Sequence, residues 1–413
     1  MSLRGVTIKE GQIGANVIGD GREFGLITNG VAIAGKVSLG SVYTLRRVSD
    51  ATALGIDSNY DASNGVQVYR HISEFFRRAG EGQKLHILLV AQTKKPGEMV
   101  DDAKTLAVES GGVISDMALA FNPAADYEDT LLDGINADIK AAIPLLQGFA
   151  DWCDEKDMPL HVILEGRSIG DMLSACVDLR GLVISEQPFD AEKVTLVVGQ
   201  DWAYADTLPG HGKKFADVGT FLGVVASMPW NRNPGEVETQ NLTDSQLGVW
   251  TIGGLSNHKK YSEVFSELET LNDKGYVFPI RYQGIAGYWW NDGHCCVEIV
   301  NDAAGNMNQH TIYYSHTMDM CKRQLRLTYL PEVKKPVSLD DDGKLPQSVA
   351  GYFNAIGDGV FDSLASQALI SDGETNVDTD SDLLLEKVLN IDFAVIPTGC
   401  VNEIKGTINL KNQ

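Results

Sequence analysis

Cysteine is scarce: the chain of 413 residues holds six, at positions 153, 176, 295, 296, 321 and 400, and none forms the C-x-x-C pair that holds zinc or runs redox chemistry. They read as reduced core residues. A chain of this length buries ample apolar area in two or three packed units, so stability does not call for disulfides. Long apolar runs are also missing. No stretch approaches the roughly 18 to 20 uninterrupted apolar residues of a membrane span, and the first ten residues lack the apolar core of a secretory leader. The expectation is a soluble chain that folds in the cytosol. Basic residues are in deficit, 34 Lys and Arg against 56 Asp and Glu, for a net charge of −22. That field repels phosphate backbones and anionic lipid surfaces, which argues against nucleic acid as a direct ligand and against membrane insertion. No internal repeat of 20 to 50 residues is present.

What is present begins with an arm. Val6 and Ile8 alternate with polar residues at strand period, but Gly11, Gly14 and Gly19 follow, leaving too little apolar content for a private core. Such a segment needs a partner strand. From Phe24 the pattern becomes α/β, with strand-like residues 24–28 and 42–48 and Asp50 placed to cap a short helical turn. Val68, Ile72, Phe75, Phe76 and Ala79 then share one helical face, and Gly80 is placed to stop that helix. Residues 85–91 (Leu-His-Ile-Leu-Leu-Val-Ala) form a near-continuous apolar run of strand length, the mark of a parallel strand covered on both faces. Strands at 117–121, 160–165 and 194–199 continue the alternation, with a helix around 131–153 that Pro144 starts or kinks. The fold class expected is α/β (α+β), a mixed sheet layered with helices.

The second half reads less regularly. Residues 215–228 predict a buried helix in which Gly219 and Gly223, four apart, admit another backbone. A helix over 261–274 leads into a strand at 277–282, and Asn291-Asp-Gly293 between two apolar runs predicts a hairpin turn. A helix is expected next over 312–327. Beyond Pro331 the texture changes, to a helix over 346–370, a polar acidic loop at 371–382, and an extended end. In residues 403–411, Ile404, Ile408 and Leu410 face one way with Gly406 among them, while Glu403, Lys405, Thr407, Asn409 and Lys411 face the other. The divisions expected are an N-terminal arm over 1–22, a body over 23–330 with room for a subdivision near 200, and a C-terminal domain over 331–413 whose last residues, about 402–413, form a strand arm.

Four motifs invite chemistry. Gly166-Arg-Ser168-Ile-Gly170 is a G-x-S-x-G directly after a strand, where a hydrolase would expose its serine, and Asp201 with His211 or His294 lies downstream in the right order. In a chain with 42 glycines the pattern also arises by chance, and a turn with a capping serine is the competing reading. Gly19-Asp-Gly21-Arg-Glu-Phe-Gly25 misses the G-x-G-x-x-G spacing by one residue and leads into a strand. The run at Asp378, Asp380 and Asp382 has calcium-loop spacing, but Leu383 and Leu389 stand where the loop needs its glycine and its glutamate. His294 beside Cys295 and Cys296 has no second ligand pair in range, and reads as core. No catalytic residue, cofactor or metal is expected from these.

An order of segments carries a family likeness: Phe24-Gly-Leu-Ile-Thr-Asn-Gly30, Ser49-Asp-Ala-Thr-Ala-Leu-Gly55, the helix ending Phe75-Phe76, Leu164-Glu-Gly-Arg167, Asp178-Leu-Arg-Gly181, Val198-Gly-Gln-Asp201, Val218-Gly-Thr-Phe-Leu-Gly223, Gly275-Tyr-Val-Phe278, Gly287-Tyr-Trp-Trp-Asn-Asp292 and Ile396-Pro-Thr-Gly399. In that order the chain resembles the contractile tail sheath proteins of phages and related injection machines, in particular the short, Mu-like form common among Bacteroidetes prophages. The resemblance implies a non-enzymatic subunit of a helical tube of stacked, six-fold rings around an inner tail tube. Its implied partners are further copies of itself, the inner tail tube protein, and baseplate and tail terminator proteins. The implied place is a virion tail or injection particle assembled in the bacterial cytoplasm. In that family both terminal arms add strands to neighbouring subunits. Here Val6 and Ile8, and Ile404, Ile408 and Leu410, would do so, with Gly11 and Gly14 as hinges about which rigid bodies rotate on contraction. The chain is shorter than large phage sheaths, so an outer decorating domain should be small or missing. A Ser168 hydrolase, or another virion structural protein such as a tube or baseplate component, stands as the alternative.

Overall fold

The computed structural model describes residues 22–184 and 186–411. Val6, Ile8, Gly11 and Gly14, and with them the N-terminal arm, lie outside the described residues. The first described elements are β1 (Glu23–Gly30), β2 (Val42–Leu45), the short helices α1 (Val48–Leu54) and α2 (Ser58–Asn64), α3 (Val68–Ala79) and β3 (Leu85–Ala91). They are followed by α4 (Val100–Glu109), β4 (Ile114–Ala120), α5 (Ala137–Glu155), β5 (His161–Glu165), β6 (Val194–Val197) and α6 (Val218–Ala226). Six strands form one sheet in the order β6-β5-β4-β1-β3-β2, parallel throughout except for the edge strand β2.

The burial of β3 explains its composition. Leu88 and Val90 enter the core beneath α4 and α5, while Leu85, Ile87 and Leu89 enter the opposite core beneath α3 and α6. Alternate residues serve opposite faces, so a strand covered on both must be apolar throughout. α3 runs over the residues its periodicity predicts, and Gly80, at φ 82°, turns the chain out while its N–H bonds back to Phe76. All nine residues of α6 are buried. A Cβ on Gly219 would stand 2.5 Å from the backbone of His71, and one on Gly223 would stand 2.7 Å from the Phe75 carbonyl, so the two glycines let α6 lie directly on α3.

Other segments depart from expectation. Pro144 sits inside α5, near the middle of a 19-residue helix whose N-terminus is capped by Asn136. The helix expected over 261–274 is broken into Tyr261–Val264, a 3-10 turn and Leu268–Asp273, and the next strand shrinks to Pro279–Ile280. No hairpin turns at residues 291–293: Trp289–Trp290 pairs back with Pro279–Ile280, and His294 and Cys296 bridge instead to Thr311 and Ala191. Gly293 does not take the positive φ such a turn needs; it is packed so closely that a Cβ there would stand 2.3 Å from Ile312 and 3.0 Å from Pro234.

The chain closes with α7 (Ile312–Tyr329), α8 (Gln347–Ser366), β7 (Ile370–Val377) and β8 (Ile391–Pro397). The polar loop expected at 371–382 is therefore mostly strand. β7 pairs antiparallel with β8 from Ile370↔Pro397 to Val377↔Ile391; only Ile370, Thr375 and Val377 are buried, and Gly373 lies close on the Phe361 ring. α7 is tied to the large sheet by buried polar contacts: His316 to Asp116 at 2.5 Å, His161 to Ser315 at 3.1 Å, and Lys193 to Asp319 at 2.5 Å. Its other side packs with α8 and β7 through Cys321, Leu325, Phe361, Leu364 and Ile370.

Candidate inter-subunit arm

Past Pro397 the chain leaves its last strand and runs to residue 411 with no helix or strand, joining no described sheet. Residues 398–402 remain on the body. Thr398 accepts from Asn231 at 2.9 Å, and Asn402 donates to the Asp292 carboxylate at 2.8 Å. Beyond them the described arm has only its own Glu403–Lys405 ion pair, at 2.9 Å and open to solvent. Ile404, Ile408 and Leu410 are 89%, 98% and 102% exposed. Apolar side chains of that size, left wholly in water at alternating positions, have the pattern of a half-buried strand whose other half is missing.

An unpaired strand edge lies on the same chain. β7 and β8 form a two-stranded sheet, so each keeps one unpaired edge. Beside β8 opens an apolar groove of about 1230 Å³, whose lining includes Leu325, Tyr329, Val337, Leu339, Ile391 and Phe393 and no residue of β7. Two of the lysines lining it, Lys334 and Lys387, are held at φ 69° and 58°. An open strand edge over an apolar floor is a template for strand addition, whether wanted or not.

The catalytic-looking motif does not assemble. Ser168 comes after β5 at φ 56°, the backbone a nucleophile elbow would use, but it is buried, and among the described groups its Oγ has no hydrogen-bond partner. The chain next makes a single 3-10 turn at Leu173–Ala175, where a hydrolase would carry a helix. The would-be partners are engaged elsewhere. Asp201 is paired with Arg70 at 3.2 Å, His211 lies 3.5 Å from Asp129, and His294 is bound between Arg180 and Asn272. Burial lowers the His294 pKa to about 4, which keeps the ring neutral. Asp378 and Asp382 spend oxygens on backbone amides of their own loop. Among the described residues no group of three His, Cys, Asp or Glu is placed to hold a metal ion. Gly19 and Gly21 lie outside the described residues.

The fold is that of the contractile sheath proteins. Over 99% of both chains it matches the helical sheath of the anti-feeding prophage in its contracted state, with a TM-score of 0.59 and 11% identity. It matches a chain in the six-fold-symmetrised baseplate of the same particle at 0.62 and 12%, over 100% of this chain and 99% of that one. The contracted sheath complex of the extracellular contractile injection system PVC matches at 0.55 and 12%, over 100% and 98%. Residues 5–294 match the family described as DUF2586, N-terminal domain, and the chain belongs to that family. No curated protein matches it. Among the described residues no helix is long and apolar enough to cross a membrane.

Proposed function

We propose that this chain is the structural subunit of a contractile sheath, polymerising as stacked rings around an inner tube and contracting to drive that tube through a target cell envelope. The observation that carries the proposal is the arm at 403–411, whose apolar side is wholly exposed, on a chain that has the sheath fold over its whole length. Each arm adds to the open edge of β8 in a neighbouring copy, with Ile404, Ile408 and Leu410 entering the groove beside it. Main-chain hydrogen bonds supply affinity there, and the alternating side chains set register. The N-terminal arm, through Val6 and Ile8 and with Gly11 and Gly14 as hinges, makes a second joint of the same kind. Rings are six-fold, and further partners are the inner tube protein, the baseplate and the terminator. The particle is assembled in the bacterial cytoplasm and works as a tail. No catalysis is required, because the driving free energy lies in the subunit contacts exchanged on contraction.

Electron microscopy of the purified protein tests this directly. Tubes or long sleeves are expected from the full chain, and soluble monomers from a chain lacking residues 402–413. Tubes from the shortened chain would refute the arm as the joint, and full-length protein that stays monomeric at high concentration would refute the sheath reading. A tube or baseplate component would instead give structures of smaller diameter, or none that contract.

A further inference from the structure

We infer that Asp292, with Asn231 and Asn233, is the receptor that fixes where the C-terminal arm leaves the body, so that the arm pivots at residue 403 and not at the end of β8. The inference rests on the sheath reading for its consequence, though not for its geometry. Residues 398–402 cross the body as a strap, and every second side chain, Thr398, Cys400 and Asn402, meets a residue of the body. Thr398 Oγ1 accepts from Asn231 Nδ2 at 2.9 Å, Cys400 Sγ lies 3.6 Å from Asn233 Nδ2, and Asn402 Nδ2 donates to Asp292 Oδ2 at 2.8 Å. Val401, between them, is 77% exposed.

Most of the receptor is supplied by the body. Asp292 is only 4% exposed, and its Oδ1 accepts from Asn233 Nδ2 at 2.8 Å and from the Gly293 amide at 2.7 Å. Its Oδ2 is left for Asn402. A buried carboxylate needs donors on both oxygens, so the strap completes a site that the body alone leaves half-satisfied. Asn231 is itself held by the Ala368 carbonyl at 2.9 Å, just before β7, so the strap ties that corner of the C-terminal sheet to the body as well. The Asp292-Gly293 pair thereby acquires a role that a hairpin turn would not have given it.

A closed strap withholds five residues, about 16–18 Å of extended chain, from the arm's reach. With the origin of every arm set at the same point, neighbouring copies are held at one spacing. An open strap lets that spacing vary.

The test uses Cys400, the exposed cysteine among the described residues; the other five are buried. Partial burial, and after it the Asp292 carboxylate, push its thiol pKa up, so a closed strap slows the reaction of an otherwise exposed thiol. Asn402→Ala is expected to raise the labelling rate of Cys400 by Ellman's reagent several-fold and to give tubes of heterogeneous spacing. Asp292→Ala should do the same, and Asn402→Ala keeps the test decisive if that core variant does not fold. The inference is overturned if Asn402→Ala leaves both labelling rate and spacing unchanged. Should the wild type form no tubes, the sheath reading fails separately, while the labelling rates of the monomers still decide whether the strap is closed.

Discussion

Replacing Ile408 by alanine removes most of one apolar side chain from the arm, and the consequence can be worked from its exposure. At 98% exposed, Ile408 buries nothing in the free subunit, so the substitution should leave the melting temperature of the monomer unchanged. In a joint where it enters the groove beside β8, the three lost carbons forfeit about 2–2.5 kcal/mol, at ~0.8 kcal/mol each. The cost of ordering the arm is the same in both chains and cancels, so the whole loss falls on association. It amounts to a roughly 30- to 70-fold weaker joint, at about 1.4 kcal/mol per tenfold. The critical concentration for sedimentable tubes should rise by that order. Thr407→Ala is the control: its side chain faces the other way along the strand, and it should shift the critical concentration little. Equal shifts from the two variants, or a lowered monomer melting temperature for Ile408→Ala, would refute one-sided insertion.

Three further outcomes test the body. Gly219→Ala puts a Cβ 2.5 Å from the His71 backbone. It should cost about 1–3 kcal/mol in overpacking, more than the ~1 kcal/mol of helix propensity it gains, and lower the urea midpoint. At Asp116, burial raises the carboxyl pKa, but the charge and hydrogen bond of His316, with Arg22 and Ser115, outweigh it and hold the group at about 2. A depressed folded pKa means stability that is present above about pH 4 and lost as pH falls towards 2, on the order of 2 kcal/mol. Urea titrations of His316→Leu should therefore lie below wild type at neutral pH, and the gap should close towards pH 2; a gap independent of pH would contradict the assignment. Ser168→Ala removes a buried, unpartnered hydroxyl and should change stability by less than about 0.5 kcal/mol and leave assembly intact. Labelling of Ser168 by serine-reactive probes would revive the hydrolase.

The parts of the fold legible in the sequence are those that a single physical requirement dictates. β3 must be apolar on both faces, and α3 on one. Gly219 and Gly223 serve a backbone contact that no other residue permits, and all three were readable. β7 was not, because its sequence, Ile-Ser-Asp-Gly-Glu-Thr-Asn-Val, is polar on the side that meets water and has only three buried residues. What makes it a strand is β8, about twenty residues away, and the floor of α8 beneath it. Asp292-Gly293 failed for the converse reason. The dipeptide has strong local turn chemistry, but packing of Gly293 against Ile312 overrode it, as tertiary contacts override local preference elsewhere.

The arm tests what a sequence pattern can mean. Ile404, Ile408 and Leu410 keep strand period, yet the described chain forms no strand there, and both statements hold. A strand is not a property of one segment, since its ladder bonds belong to two, and an isolated extended chain has no partner to supply them. On the sheath reading the pattern encodes a conformation conditional on a second molecule, whereas β3 encodes one conditional only on the rest of its own chain. Strap and arm differ in the same way. Residues 398–402 are satisfied, through Thr398, Cys400 and Asn402, by Asn231, Asn233 and Asp292 of their own chain. From residue 403 onward the apolar side has no such company: Ile404, Ile408 and Leu410 stand in solvent, and on the sheath reading their partners belong to a neighbouring copy.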